Sequence, residues 1–317
     1  MVNSPAKSEK FVYMDHDGGV DDLLSLMLLL TMPHVKLMGV SVTPADCYLD
    51  YAIEASRKVL DLLDKSDVEV AGGNLHGVNA FPAEWRAQPH IVNALPILLA
   101  REQIKAPLVD EPAHRFLMQK LKNADEPITI VMTGPGSNLA AALQVEPAVK
   151  EKIAEVVWMA GAIEVEGNVR TFAHDGSAEW NIFWDPPAAH HIFRAGLNLT
   201  LFPLDVTNLV PVGWAFLQKL AKQRQWLLSD LAGQCWATTV NAIPHYDYMY
   251  FMWDILATSY VGRPDLMTYR EVEVTVIERG RNAGKTLHAP GSDQWVKVAA
   301  TVDVDGFHDY ILQQFQQ

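Results

Sequence analysis

The chain has 317 residues, 49% hydrophobic and 20% charged, with 19 Gly and 18 Pro, which excludes disordered, collagen-like and coiled-coil classes and leaves ample apolar mass for a core. Its 25 Lys+Arg against 38 Asp+Glu give a net charge of −13, a field that repels phosphate backbones and anionic lipid, so neither nucleic acid nor a membrane surface is an expected partner. The only cysteines, Cys47 and Cys235, support neither a disulfide framework nor a thiolate metal site, the first ten residues lack a secretory apolar stretch, and the apolar run Leu26–Leu30 is too short to span a bilayer.

The expectation is one cytoplasmic domain spanning residues 1–317, with a small-molecule enzyme as the leading class. Lys10–Asp15 reads as a strand and Asp22–Thr31 as a buried helix. Val35–Val42 is a strand, Tyr48–Leu63 has helical spacing, and Val68–Ala71 is a short strand stopped by Gly72-Gly73. After a loop-rich stretch from Asn74 to Asp110, Ala113–Asn123 reads as a helix, Ile128–Thr133 as a strand, and a helix starts at Asn138. Glu155–Met159 and Leu199–Leu204 repeat the strand pattern. Glu271–Ile277 and Val296–Val302 are late strands before a final helix from about Asp305. The alternation predicts an α/β fold: an open, mostly parallel, Rossmann-like sheet with helices on both faces. Ligands of such sheets bind beyond the carboxyl ends of the strands, so those ends are where the chemistry is expected.

The first strand runs into Asp15-His16-Asp17-Gly18-Gly19-Val20-Asp21-Asp22, four carboxylates in eight residues with no Lys or Arg between Lys10 and Lys36. Two glycines permit a tight turn that folds Asp21 and Asp22 back toward Asp17. Converging carboxylates repel one another unless some are protonated or a cation sits among them. Oxygen-only ligands suit Ca²⁺ or Mg²⁺. An EF-hand does not fit, because the sixth position from Asp15 is Val20 and the twelfth is Leu26. Helix capping accounts for one or two of these acids but poorly for all four. A strand followed by D-x-D-G also resembles Mg²⁺-dependent phosphohydrolases of the haloacid dehalogenase type, in which Asp15 would attack phosphorus and Asp17 would act as acid/base.

The whole motif D-x-D-G-G-V-D-D resembles the N-terminal signature of the nucleoside hydrolases, which split the N-glycosidic bond of ribonucleosides. Further segments resemble that family in order along the chain: Val131–Pro135 with Ser137–Ala140, Trp158–Ala162, Gly167–Val169, Ala178–Ile182, Trp184–Pro186 and Trp253-Asp254. Within the family, Thr43–Cys47, Asn79–Arg86 and the Trp before Asp254 are most similar to the purine-specific branch acting on inosine, adenosine and guanosine.

The resemblance implies Ca²⁺ held by the side chains of Asp17, Asp22 and Asp254 and by the Thr133 carbonyl, with Asp17 the general base on a metal-held water. It implies Asp21, Asn168, Glu179, Asn181 and Asp254 around the ribose hydroxyls, with Met159 under the sugar. Trp85 and Trp253 would sandwich the purine, with Asp46 and Glu84 toward the base. The partner implied is a small nucleoside, in a homodimer or homotetramer. The His that often precedes the late Asp is absent, so stacking on the two indoles becomes the route to protonating the leaving base, with His245 a nearby loop alternative. A non-catalytic module binding nucleoside or ribose through the same residues is the third reading.

Overall fold

In the computed structural model, which describes residues 8–240 and 249–317, the strands form because short Val/Ile/Met-rich runs are buried on both sides. They are β1 (Lys10–His16), β2 (Val35–Val42), β3 (Val70–Gly72), β4 (Leu108–Val109), β5 (Ile128–Met132), β6 (Ile153–Met159), β7 (Leu199–Phe202), β8 (Met267–Val276), β9 (Thr286–His288) and β10 (Trp295–Val302). They make one sheet in the order β4-β3-β2-β1-β5-β6-β7-β10-β8-β9. Every pairing from β4 to β10 is parallel, and β8 runs against both β10 and β9. The expected α/β sheet is therefore present, with one reversed strand near its edge.

Alternate residues of the central strands feed two separate cores. Val12, Met14, Val131 and Val157 belong to one, and Tyr13, Ile130, Met132, Val156 and Trp158 to the other. This is the period-2 consequence of a sheet covered on both faces. Helix α1 (Val20–Thr31) is buried at nearly every position and packs against the helix Trp253–Ser259, so its apolar residues need no polar stripe. Helix α2 (Leu49–Leu62) follows β2.

Strand order reverses direction between β1 and β5, since the chain builds outward from β1 to β4 on one side and from β5 onward on the other. That switch point lies at the carboxyl ends of β1 and β5, where sheets of this kind take their ligands and where Asp15–Asp17 and Thr133 sit. The turn there depends on Gly18, whose φ of +84 is in the left-handed region, and a Cβ at Gly18 would lie 2.3 Å from the Ala52 Cβ. Gly18→Ala is expected to cost about 2 kcal/mol or more of unfolding free energy, measured by urea denaturation, because it combines positive-φ strain with a backbone-fixed clash. Among the described residues no helix is long and apolar enough to cross a membrane.

Candidate active site

Helix α1 begins at Val20, two residues earlier than the spacing suggested, so Asp21 and Asp22 lie inside its first turn. Asp22 reaches back and accepts the Gly19 N–H at 2.6 Å, and its other oxygen accepts the Thr133 hydroxyl at 2.5 Å. The first contact is helix N-terminal capping by an acid at N3; the second ties the start of α1 to the end of β5. Asp21 accepts the Tyr250 hydroxyl at 2.7 Å. Oxygens of Asp17, Asp22 and Asp46 lie within 4.8 Å of one another, as do those of Asp21, Asp22 and Asp254. Five carboxylates from three distant stretches of chain thus share one cluster. Gly19 forms part of its wall, since a Cβ there would lie 2.4 Å from Asp46 Oδ2.

Burial dominates the electrostatics. It pushes the Asp22 carboxyl up to about 7, helped by the charge of Asp21. Asp17 is raised well above the usual carboxylate range by burial, then by Asp22 and Asp46. Asp254 is raised in the same way by burial and by Asp21, Asp22 and Asp17. Asp46 is raised by burial and by Asp22 and Asp21, against the opposing guanidinium of Arg86. Asp21 is raised by burial, with the Tyr250 hydrogen bond opposing. Acids so placed must keep protons or gain a cation, and an all-oxygen donor set of this charge fits a hard divalent ion. Asp17, Asp22, Asp46, Asp21 and Asp254 are the side chains that could hold it. The Thr133 carbonyl accepts the Asn181 amide at 2.8 Å, which leaves one carbonyl lone pair available.

On the far side of the cluster Glu179 caps the short helix Trp180–Trp184. It accepts the N–H groups of Asn181 at 2.7 Å, Gly161 at 2.9 Å and Ile182 at 3.2 Å. Burial still pushes its carboxyl up to about 7 against those three donors. Asn181 Nδ2 donates to the carbonyls of Thr133 and Met159, and Met159 is itself buried. Asn168 Oδ1 accepts the Trp180 N–H at 3.1 Å. The expected sugar-side residues Met159, Asn168, Glu179 and Asn181 therefore form one hydrogen-bonded group, joined to the acid cluster through Thr133.

The aromatic residues divide into two sets. Trp85, on the turn Ala83–Trp85, lies 5.9 Å from Trp180, which meets Phe81 at 4.4 Å. Trp253 opens the helix that carries Asp254 and meets Tyr250 at 4.7 Å and Phe251 at 5.8 Å. Among the described residues the two indoles make no ring contact with each other. Glu84 is exposed on its turn, outside the buried group. His245 lies outside the described residues.

Sequence reasoning missed several participants. Asn138 donates to both Asp15 at 3.0 Å and Thr43 at 2.9 Å, bracing β1 against the loop after β2. Arg86 stacks its guanidinium 4.3 Å over the Tyr48 ring and donates to the Cys47 carbonyl at 2.6 Å, tying the Trp85 turn to the Asp46 loop. Tyr250 had a faint signal, four residues before Asp254. Arg86 had its place in the Asn79–Arg86 segment but no role.

With this geometry in hand, the comparison with known proteins is direct. The profile of the family described as inosine-uridine preferring nucleoside hydrolase matches residues 12–309. The chain belongs to the nucleoside hydrolase family. The solved inosine-uridine preferring nucleoside hydrolase from Bacillus anthracis is 40% identical, with a TM-score of 0.91 over 97% of this chain and 99% of that one. A purine-preferring ribonucleoside hydrolase from Gardnerella vaginalis is 25% identical, with a TM-score of 0.80 over 97% and 98%. Uridine nucleosidase 1 of Arabidopsis thaliana is 26% identical over 96% of this chain and 92% of its own. Family membership gives this hydrolase its reaction class, cleavage of the N-glycosidic bond of nucleosides. It sets aside the phosphohydrolase reading built on Asp15.

Proposed function

We propose that this hydrolase cleaves inosine, guanosine and adenosine to free base and ribose, using Ca²⁺ held by Asp17, Asp22, Asp254 and the Thr133 carbonyl. The observation that carries the reading is the buried acid cluster at the switch point, whose raised carboxyls fit a hard cation and a cationic sugar. Breaking the ribosyl C–N bond builds positive charge on the sugar ring and negative charge on the base, as in glycoside cleavage. Bound Ca²⁺ would supply a fixed charge that orients ribose hydroxyls and acidifies water. Asp17 takes the proton of the attacking water. Asp21, Asn168, Glu179, Asn181 and Asp254 hold the ribose hydroxyls, with Met159 beneath the ring, and Asp46 faces the base edge.

The purine preference rests on Trp85 and Trp253. Indole faces attract cations, by about 2 kcal/mol or more when desolvated, so stacking between them raises the basicity of a purine ring nitrogen and lets solvent protonate the departing base. Trp85→Ala and Trp253→Ala are each expected to lower kcat for inosine by roughly tenfold or more, read by chromatography of released hypoxanthine. Unchanged kcat in both variants would remove the stacking mechanism. The wild-type assay with inosine, guanosine, adenosine, uridine and cytidine tests the reading as a whole. Equal turnover of uridine would remove the purine preference, and release from none would leave a binding module.

A further inference from the structure

The turn that carries Asp17 is held by a side chain with no role in the chemistry above. His16, the last residue of β1, is fully buried, with its Nε2 3.1 Å from the hydroxyl of Ser56 on α2. That hydroxyl spends its single proton on the Ala52 carbonyl at 2.7 Å. Its oxygen must then accept from the imidazole, so Nε2 carries the hydrogen and Nδ1 is bare. The bare Nδ1 accepts the Gly18 N–H at 3.2 Å.

The other end of that same peptide is held as well. The Asp17 carbonyl accepts the Cys47 N–H at 3.0 Å, and one residue earlier the His16 carbonyl accepts the Thr43 N–H at 2.7 Å. The Asp17–Gly18 peptide plane is thus clamped at its carbonyl by a backbone amide and at its N–H by an imidazole. Rotation of that plane turns ψ of Asp17, so a plane fixed at both ends, with the His16 carbonyl also held, fixes the backbone frame from which the Asp17 carboxylate projects. Without His16 Nδ1, the buried Gly18 N–H loses its partner in a position where an unmade hydrogen bond is costly, and the plane is free to turn toward another acceptor. The neighbouring acceptors are the carboxylates of the cluster itself, one of which already takes the Gly19 N–H.

We propose that His16 is the positioning residue for Asp17: its unprotonated Nδ1 locks the Asp17–Gly18 peptide and so aims the Asp17 carboxylate into the acid cluster. The inference rests on the reading of Asp17 as base and cation ligand. It differs from a packing role for His16, because it assigns the effect to one ring nitrogen.

Two substitutions separate the nitrogens. In His16→Asn the amide oxygen takes the place of Nδ1 and still accepts from Gly18. In His16→Gln the terminal amide reaches the place of Nε2 and Ser56, and the acceptor for Gly18 is lost. The readouts are kcat and KM for inosine, and the Ca²⁺ dissociation constant by calorimetry in the absence of substrate. His16→Gln is expected to lose roughly 10–100-fold in both kcat and Ca²⁺ affinity, as removal of a group orienting a ligand does, while His16→Asn stays within about threefold of wild type. Wild-type behaviour of His16→Gln overturns the proposal, as does equal loss in the two folded variants.

An independent measurement on the unmodified protein covers the case in which a variant does not fold. With ¹⁵N-labelled Gly and His, an N–H···N bond gives a scalar coupling between the Gly18 nitrogen and His16 Nδ1, together with the shift of a bare Nδ1. A protonated Nδ1 without that coupling overturns the proposal. Failure of the underlying reading has a different signature: Asp17→Asn keeps its activity while the coupling persists.

Discussion

Asp17→Asn is expected to lower kcat for inosine about a thousandfold, in the range a positioned general base supplies, with the fold retained. The argument lies in what surrounds each acid. Both oxygens of Asp22 accept protein donors, one from Gly19 and one from Thr133. Asp21 accepts from Tyr250, and both oxygens of Glu179 accept backbone N–H groups. Among the described residues Asp17 has no N–H or hydroxyl donor, and its contact is with the neighbouring carboxyl of Asp22. A carboxylate used as a base needs a lone pair that the protein has not claimed; among the described residues Asp17, Asp46 and Asp254 each keep theirs free of N–H and hydroxyl donors, and of these Asp17 is the one on the turn that leaves β1, in contact with Asp22. Single-turnover release of hypoxanthine measures the effect, with circular dichroism to check folding. Loss of less than about tenfold would move the base to another carboxylate.

The second large effect is on stability, and it couples pH to the cation. In the cation-free protein, burial places Asp15, Asp22 and Glu179 near about 7, against about 4 in the unfolded chain. Between those values the folded chain binds more protons at these acids than the unfolded one, so their contribution to the unfolding free energy is fully present below about pH 4 and is lost as pH rises through about 7, by a few kcal/mol for each acid. A divalent cation takes the place of the protons and favours the ionised acids, so its stabilisation grows in the opposite direction. Without added cation, Tm is expected to fall between about pH 5 and about pH 7.5, and saturating Ca²⁺ is expected to raise Tm by several degrees more at the higher pH. Calorimetry with and without chelator measures both. An equal rise at the two pH values would separate the cation from the buried acids. Substituting Mg²⁺ in the same scans compares the larger, more flexible ion with the smaller one.

Much of this architecture could be read from the chain because local pattern and global role coincide. β2 was expected and found at Val35–Val42, and β1 differs only by including His16. The acid turn was legible because a buried strand, two glycines and four carboxylates adjoin in sequence, and capping explains only part of such a cluster. Glu179 and Asn181 were reached through resemblance rather than spacing, since a polar loop of that composition is ordinary. The reversed direction of β8 was not visible, because inside–outside alternation is the same for a parallel and an antiparallel strand. Nor were Arg86 on Tyr48 or Tyr250 on Asp21. Those contacts depend on how distant segments dock, which no local pattern records. Glu84 stands adjacent to Trp85 in sequence yet faces solvent, a reminder that neighbours on a short helical turn point to different sides.

The composition of the acid cluster has a consequence for how the protein is made. Tyr250 meets Asp21 across 229 positions of chain, and Asp254 joins a cluster otherwise supplied by residues 17–46. A growing chain that has completed β1, α1 and β2 holds most of the acids but lacks the one that arrives with the helix Trp253–Ser259. Closing so long a loop is entropically unfavourable until the intervening strands have paired. The nascent chain therefore carries an incomplete set of these carboxylates through most of its synthesis, and any hold on a cation would become complete only when the late helix docks on α1. A cation held by this cluster would act as a seal on finished molecules rather than as a seed for unfinished ones.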